Sequence, residues 1–186
     1  MTNFREWWAV NTDLKEVKDA YYRNYQNVTW NPHSPTTGEL QPEFWDNPYF
    51  TRFQSYETDG RNRILGNMYL NYQPLKWLNL LGRVSLDNYA ENEQERKAVG
   101  SVGVPFYRRF NQTYNEINYD LLANATWKLN CDVALKALLG SSTRVQSRSS
   151  IDQSTNAGLA LAGLYTISNS IHAPAPPVEL DGTRQI

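Results

Sequence analysis

The stretch that decides the fold is INYDLLANATWKLNCDVALKALLG, which runs from Ile117 to Gly140. Its first half alternates apolar and polar residues with a period of two, the side-chain period of a β-strand. The apolar phase comprises Ile117, Tyr119, Leu121, Ala123, Ala125 and Trp127. After a break at Asn130-Cys131-Asp132 the apolar phase resumes at Val133, as the second arm of a hairpin would. One face of this hairpin must therefore meet either a protein core or lipid.

A second pair of alternating segments precedes the first, interrupted around Gln73-Pro74. Together the two hairpins predict four strands, at about 63–72, 78–88, 114–128 and 133–145. Each arm has close to the ~9–11 residues that a tilted strand needs to cross a bilayer. The turns near 73–77 and 129–132 are short, whereas the links at about 89–113 and 146–186 are long. The aromatic residues Tyr72, Trp77 and Trp127 mark the side of the short turns, as in an interfacial girdle.

The first part of the chain favours helices instead. Asn3 with Glu6, and Asp13 with Glu16, have the spacing of a capping box, which predicts short helices at about 4–10 and 13–23. Residues 27–48 contain five of the prolines and glycines that interrupt regular structure, at Pro32, Pro35, Gly38, Pro42 and Pro48. We expect this segment to be a long loop.

Composition excludes some classes of function. The chain has 186 residues, which suits one domain, and its 18 basic residues nearly balance 19 acidic ones without a basic run. The electrostatic signature of a nucleic-acid binder is therefore missing. The start, MTNFREWW, lacks the pattern of a secretory signal, and the apolar stretch LALAGLY is too short for a spanning helix. Cys131 is alone, so no internal disulfide is expected.

Alternation by itself does not choose between lipid and core, because a half-buried sheet in a soluble sandwich has the same pattern. Four strands do not fill a sandwich, and the helical, proline-rich start offers little to cover their apolar face. In a membrane, four strands leave two open edges, whereas closed outer-membrane barrels begin at about eight strands. On either alternative, the sequence predicts a piece of something larger.

Six blocks of sequence between Phe4 and Ser170 resemble, in this order, a stretch of the barrel of SusC/RagA-family TonB-dependent outer-membrane transporters. The blocks are FREWWAVNTDLKEVKDAYYRNYQNVTWN, WDNPYFTRFQSYETDGRNRILGN, WLNLLGRVSLDNY, ERKAVGSVGV, RFNQTYNEINYDLLAN and GLYTISNS. No single block is a catalytic motif. Their common order over nearly the whole chain makes the resemblance specific.

This resemblance implies an all-β fold, in which antiparallel hairpins form part of a transmembrane β-barrel of about 22 strands. Residues 1–48 would be an extracellular segment with short helices, and residues 49–186 would be barrel strands with long extracellular loops at 89–113 and 146–186. The apolar phase from Ile117 to Trp127 would face lipid. Asn118, Asp120, Asn124 and Thr126 would face the lumen, and Cys131 would lie in a periplasmic turn.

The implied function is import of large nutrients, oligosaccharides or peptides, across the outer membrane of a Gram-negative bacterium. The implied partners are a SusD-like surface lipoprotein, outer-membrane lipid and the TonB complex, which would act through parts missing from this chain. The family's signal peptide, TonB box, plug and most barrel strands have no counterpart in this sequence. We therefore expect an incomplete reading frame, a gene fragment or a truncated product that does not transport alone.

The sequence offers little for catalysis, and we expect no enzyme, no cofactor and no metal. His33 and His172 lie in separate proline-containing segments without a nucleophile at a meaningful spacing. The acidic residues Asp87, Glu91, Glu93 and Glu95 have the oxygen ligands that calcium prefers. Because Arg96 and Lys97 follow directly, a solvated loop is the favoured interpretation of this acidic cluster.

Aromatic residues at 44–53 are the candidate contacts for a substrate or a protein partner, since flat rings stack on sugars and anchor interfaces. The candidates are Trp45, Tyr49, Phe50 and Phe53, next to Phe44. The competing interpretation is that these rings pack the loops against each other, and it is the favoured one.

The alternative function is a soluble, aromatic-rich β module that binds carbohydrate. The two functions require opposite surroundings for the apolar phase of the strands, lipid in one case and a protein core in the other.

Overall fold

A computed structural model describes residues 12–34 and 39–186. The described chain is mostly antiparallel β-structure with two short α-helices. The helices are α1 (Leu14–Asn24) and α2 (Pro48–Gln54), and a 3-10 turn spans Ile167–Asn169. The strands are β1 (Pro32–Ser34), β2 (Glu39–Pro42), β3 (Glu57–Leu75), β4 (Leu78–Lys97), β5 (Phe106–Lys128), β6 (Ala134–Ser154), β7 (Asn156–Leu159), β8 (Ser170–His172) and β9 (Val178–Gln185).

The main sheet has five strands in the order β3-β4-β5-β6-β9. Two tight turns, at 76–77 and 129–133, join β3 to β4 and β5 to β6, so the two hairpins predicted from the sequence are present. Arg144 of β6 and Ile186, just after β9, exchange both backbone hydrogen bonds, at 2.9 and 3.0 Å, which is an antiparallel pairing. Within the described residues, β3 and β9 are the edges of this sheet.

The strands extend well beyond the predicted ones, to 19, 20, 23 and 21 residues for β3 to β6. The prediction of long loops at 89–113 and 146–186 is therefore wrong in extent. Only residues 98–105 connect β4 to β5, and the second segment contains the end of β6 and all of β7, β8 and β9. The extra strand residues are mostly polar and do not alternate regularly with apolar ones, so the hydropathy pattern ends before the strands do.

The described residues form two compact units. Unit 1 comprises the described residues within Met1–Gly60, Asn92–Phe110 and Asp152–Val178, and unit 2 comprises Arg61–Glu91, Asn111–Ile151 and Glu179–Ile186. Unit 1 has a small core in which the buried Tyr21, Phe50 and Ala98 pack with the partly buried Tyr49.

Helix α1 confirms the helix predicted at 13–23. Asp13 is its N-cap, and the Asp13 carboxylate accepts a hydrogen bond from the backbone N–H of Lys15 at 2.8 Å. The buried face of α1 consists of Val17 and Tyr21, one helical turn apart, which is why this amphipathic segment docks. The helix predicted at 4–10 lies outside the described residues.

The segment predicted as one long loop at 27–48 contains a short hairpin. Strands β1 and β2 pair antiparallel, with Pro32 opposite Pro42 and Ser34 opposite Glu39. Proline has no N–H to donate to a strand ladder, so this pair of strands stays very short. Helix α2 then begins at Pro48 because the side chain of Asn47 caps it, accepting from the N–H of Tyr49 at 2.9 Å.

No helix among the described residues is both long enough and apolar enough to cross a membrane.

Candidate functional site: two unlike faces of the sheet in unit 2

The first face of the unit 2 sheet is apolar and uncovered. We call it the apolar band; its members are Ile64, Met68, Leu70, Leu80, Val84, Leu86, Tyr119, Leu121, Leu135 and Leu139. These side chains alternate along β3 to β6, and all of them are exposed, Met68 by 81% and Leu139 by 76%. Apolar surface of this extent on one sheet face requires a cover, because each fully buried side chain gains about 1.5–3 kcal/mol.

Two tryptophans flank the end of the apolar band that carries the short turns. The rings of Trp77 and Trp127 lie 5.2 Å apart between centroids, and the N–H of Thr126 donates to the carbonyl of Trp77 at 2.8 Å. Cys131 is exposed in the neighbouring turn. Paired amphipathic rings beside an apolar surface are typical of a boundary between an apolar phase and water.

The second face carries a network of paired charges. We call it the polar ladder; its members are Arg61, Arg63, Arg83, Asp87, Glu91, Glu116, Asp120, Arg144 and Arg148. Arg63 holds Asp87 with two hydrogen bonds of 2.8 and 2.6 Å, which is the bidentate geometry of a guanidinium on a carboxylate. Arg83 pairs with Asp120 at 2.7 Å, and Arg61 pairs with Glu91.

Glu116 is the most heavily bonded carboxylate of the polar ladder. One oxygen accepts from the Tyr114 hydroxyl and the Gln146 amide, both at 2.6 Å, and the other accepts from Asn118 at 2.8 Å. Arg144 lies 3.5 Å from this second oxygen. The side chain of Glu116 is thereby fixed on the surface of the sheet by groups from β5 and β6.

A pair of tyrosine rings adds a flat surface to the polar ladder. Tyr89 and Tyr114 stack at 5.1 Å with an angle of 24° between the rings, and the guanidinium of Arg61 lies 5.0 Å from the centre of the Tyr89 ring. Gln112 donates to the Tyr89 hydroxyl at 2.8 Å and accepts from Arg148 at 2.6 Å. Each polar group therefore holds its neighbour in a fixed position.

The polar ladder contributes little to stability, because exposed ion pairs are worth about 0–1 kcal/mol each. The polar ladder presents a surface of fixed hydrogen-bond donors and acceptors, on which opposite charges largely offset each other. Such a surface suits contact with water and with polar solutes. Within residues 12–34 and 39–186, no group of three or more acidic, histidine or cysteine side chains is arranged to hold a metal ion.

The acidic cluster predicted as a solvated loop lies instead on strand β4, so that interpretation is wrong. Asp87 and Glu91 point to the same face and pair with Arg63 and Arg61. The physical reason is the matching arginine at every second position of the neighbouring strand, which makes opposite-charge cross-strand pairs. Glu95, in unit 1, lies 3.8 Å from Arg108, and Glu93 lies on the same strand.

The four aromatic candidates all lie in unit 1 and do not form one surface. Phe50 is buried in the core with Tyr21, which removes it from any contact with a substrate or partner. Phe53 stacks on Tyr21 at 5.8 Å and is 50% exposed, while Tyr49 stacks on the same ring at 6.5 Å and is half-buried. Trp45 is also half-buried. For Trp45, Tyr49 and Phe53 the contact role stays a prediction.

The two histidines lie on short strands. His172 ends β8 and is exposed, and His33 is the middle residue of β1.

Sequence reasoning missed the polar ladder. Its signal is nevertheless present in the sequence, as arginines at 61 and 63 and acidic residues at 87 and 91, at intervals of two and four residues. Those spacings place each set on one face of a strand. Pairing the two sets would have required the register of β3 against β4, which alternation alone does not give.

Comparison with known proteins gives a likeness of fold. No family model matches the chain, and no curated protein matches it. The chain is similar to a chain in the structure of the RagAB peptide transporter, with a TM-score of 0.60 and 15% sequence identity. The match covers 81% of this chain and 18% of that chain, so this chain spans less than a fifth of its length. The two chains share the fold over this region.

Proposed function

We propose that this chain is a wall segment of a TonB-dependent outer-membrane importer, with the apolar band against lipid and the polar ladder against the passage. The observation that carries the proposal is the uncovered apolar band on one face of a sheet whose opposite face is a network of paired charges. A soluble sheet of this kind would need a protein layer over the apolar band. The fold shared with part of a peptide transporter supports the proposal.

The height of the apolar band suits a bilayer. Its alternating residues run over about 64–72, 78–86 and 117–127 on β3, β4 and β5, which approaches the ~9–11 residues of a membrane-crossing strand. Beyond the apolar band the same strands continue with mostly polar residues, as expected where a barrel extends from lipid into water. The short turns then lie on the periplasmic side.

The open edges of the sheet argue for a larger assembly of strands. Strand β3 is exposed along its whole length and has a sheet partner on one side within the described chain. Unpaired backbone groups are costly in lipid, so further strands must continue the sheet at β3 and β9. Transport therefore belongs to the complete barrel of about 22 strands, and not to these residues alone.

The proposed cargo is an oligosaccharide or a peptide, taken up with a SusD-like lipoprotein at the surface and the TonB complex as the energy source. The polar ladder supports passage of a hydrated polar solute, because its charges are paired and none dominates. The proposed activity is regulated passage without bond chemistry, so the chain is not proposed to be an enzyme.

The position of Cys131 tests the proposed orientation. In whole cells, a membrane-impermeant maleimide is expected to leave Cys131 unlabelled until the outer membrane is permeabilised, because its turn faces the periplasm. The matched control is Leu161→Cys in a Cys131→Ser background, since Leu161 is exposed and lies in the segment 146–186, which the resemblance implies to be extracellular. This control is expected to react in intact cells. Labelling of Cys131 in intact cells, with protection of the control, would reverse the orientation and contradict the proposal.

A further inference from the structure

One arginine of the polar ladder is the exception to its charge pairing. Arg148, on β6, is exposed, and its guanidinium donates to the Gln112 side chain at 2.6 Å. Gln112 is buried and in turn donates to the Tyr89 hydroxyl at 2.8 Å, so this amide holds Arg148 in place. In the part of the chain that the structure describes, Arg148 makes no ion pair. Its charge therefore has no acidic partner in direct contact.

Strand β9 brings a second arginine to the same face. Arg144 of β6 and Ile186 exchange both backbone hydrogen bonds, which makes them a directly opposed pair. Continued along the two antiparallel strands, this register sets Gly182 opposite Arg148, with Arg184 two residues further along β9. Opposed residues point to the same face of a sheet, and so do residues two apart on one strand. Gly182 and Arg184 therefore lie on the face of the polar ladder.

Gly182 leaves open space between the two arginines. A Cβ added at this position would meet no other residue within 4 Å apart from its chain neighbours. Arg148 and Arg184 occupy diagonal positions on neighbouring strands, which are about 7–8 Å apart and within reach of long side chains. Arg184 is exposed, and among the described residues its side chain has no hydrogen bond or ion pair. A glycine inside a strand often marks a place where a ligand approaches closely.

The charge of this spot suits a phosphate group. The acidic residues of β9, Glu179 and Asp181, alternate with Gly182 and so lie on the opposite face. On the polar ladder, the Glu116 carboxylate already accepts from two side chains at 2.6 Å. A phosphate monoester carries a charge of about −1.5 to −2 at pH 7, and its oxygens match the planar fork of a guanidinium. A carboxylate, with a single charge, would leave one of the two arginines without an anionic partner.

We infer that Arg148 and Arg184 form a clamp for the phosphate group of a solute, with Gly182 as the opening between them. Both guanidiniums donate to phosphate oxygens, and Gln112 positions Arg148. As a statement about cargo, the inference rests on the proposed function, because it places a phosphate-bearing solute against the wall of the passage. As a binding site, it rests on the sheet of unit 2 alone.

The test is calorimetric titration of phenyl phosphate into the complete barrel, purified in detergent. Arg148→Gln and Arg184→Gln are each expected to weaken binding about tenfold, the loss of one charge-assisted hydrogen bond. Gly182→Val is expected to weaken binding as well, because the valine side chain fills the opening. Valine suits a strand position with free space around its Cβ, so the circular dichroism spectrum is expected to stay unchanged.

Arg83→Gln is the matched control, because Arg83 lies on the same face but is paired with Asp120 at 2.7 Å. This control is expected to leave the affinity for phenyl phosphate unchanged. Benzoate, which has a similar shape and a single charge, is the competing probe and is expected to bind about tenfold more weakly.

Four results would each overturn the inference: no binding of phenyl phosphate, equal losses in Arg83→Gln and Arg148→Gln, unchanged affinity in Arg184→Gln or Gly182→Val, and tighter binding of benzoate. Failure of the clamp is distinguishable from failure of the proposed function. Phosphate binding that persists while Cys131 labels in intact cells would contradict the transport proposal and leave the clamp standing. Labelling of Cys131 only after permeabilisation, without phosphate binding, would overturn the clamp alone.

Discussion

Leu121→Lys is expected to destabilise the complete barrel in a bilayer by ~2–4 kcal/mol, the cost of a charge on the lipid face near the membrane centre. Leu121 lies in the middle of the apolar band, on a central strand, and its side chain is 65% exposed. In water, a lysine at so exposed a position would cost little. The measurement is folding of the complete barrel into phospholipid vesicles, followed by tryptophan fluorescence across a urea titration.

Asn124→Lys is the control for this experiment, on the same strand but on the opposite face. Asn124 is exposed and lies three residues from Leu121 on the same strand, so the same charge is introduced at a similar height of the sheet. We expect Asn124→Lys to lower the free energy of unfolding by well under half as much as Leu121→Lys, because this face contacts water. Equal effects of the two lysines, or a wild-type chain that stays soluble and monomeric without detergent, would contradict the lipid assignment and favour the soluble carbohydrate-binding module.

Asn47→Ala is expected to destabilise unit 1 by about 3 kcal/mol or more, the second large effect. Asn47 has no exposed surface. Its amide donates to the carbonyls of Val17 and Val28, at 2.9 and 2.7 Å, and its side-chain oxygen caps α2. Alanine would leave the Val28 carbonyl and the Tyr49 N–H without these partners, and the Val17 carbonyl would keep only its bond within α1. Native-state hydrogen exchange at the Ser55 amide, which donates to the carbonyl of Thr51 at the end of α2, measures the loss.

Asn24→Ala provides the exposed counterpart of this change. Asn24 accepts from the N–H of Gln26 at 3.0 Å at the end of α1, where water can replace the side chain. We expect Asn24→Ala to lower the free energy of unfolding by less than about 1 kcal/mol. Comparable losses at the two asparagines would mean that Asn47 does not hold α1 and α2 in place.

The hairpins were predictable because their apolar phase repeats every second residue, and Trp77 and Trp127 marked the correct end of each. The strand lengths were not predictable. Beyond the apolar band, residues such as Arg108 and Asp152 form cross-strand pairs, with 2.9 Å between the Arg108 Nε and the carboxylate, although neither shows in a hydropathy pattern. Polar strand ends therefore have the composition of a loop.

The candidate site was predictable only in part. The alternation assigned Leu121 and Asp120 to opposite faces, and the structure places them so. Packing was the favoured interpretation for the aromatic run, but which ring would be buried was not predictable, because the run has the same sequence whether a given ring points to a core or to solvent. A cavity in unit 1 is lined by residues from 46–57 and from 95–106, and such a long-range contact leaves no local signal in the sequence.

The most direct test of the account compares two neighbouring cysteines in the Cys131→Ser background, Ala123→Cys and Asn124→Cys. Both replace exposed or half-buried residues of strand β5 by a small side chain, and they point to opposite faces. With the protein in lipid vesicles, an aqueous maleimide is expected to label Asn124→Cys quickly and Ala123→Cys hardly at all, because lipid covers the apolar band. Equal labelling at both positions would mean that no lipid covers it, and the account of this chain as a wall between membrane and passage would be wrong.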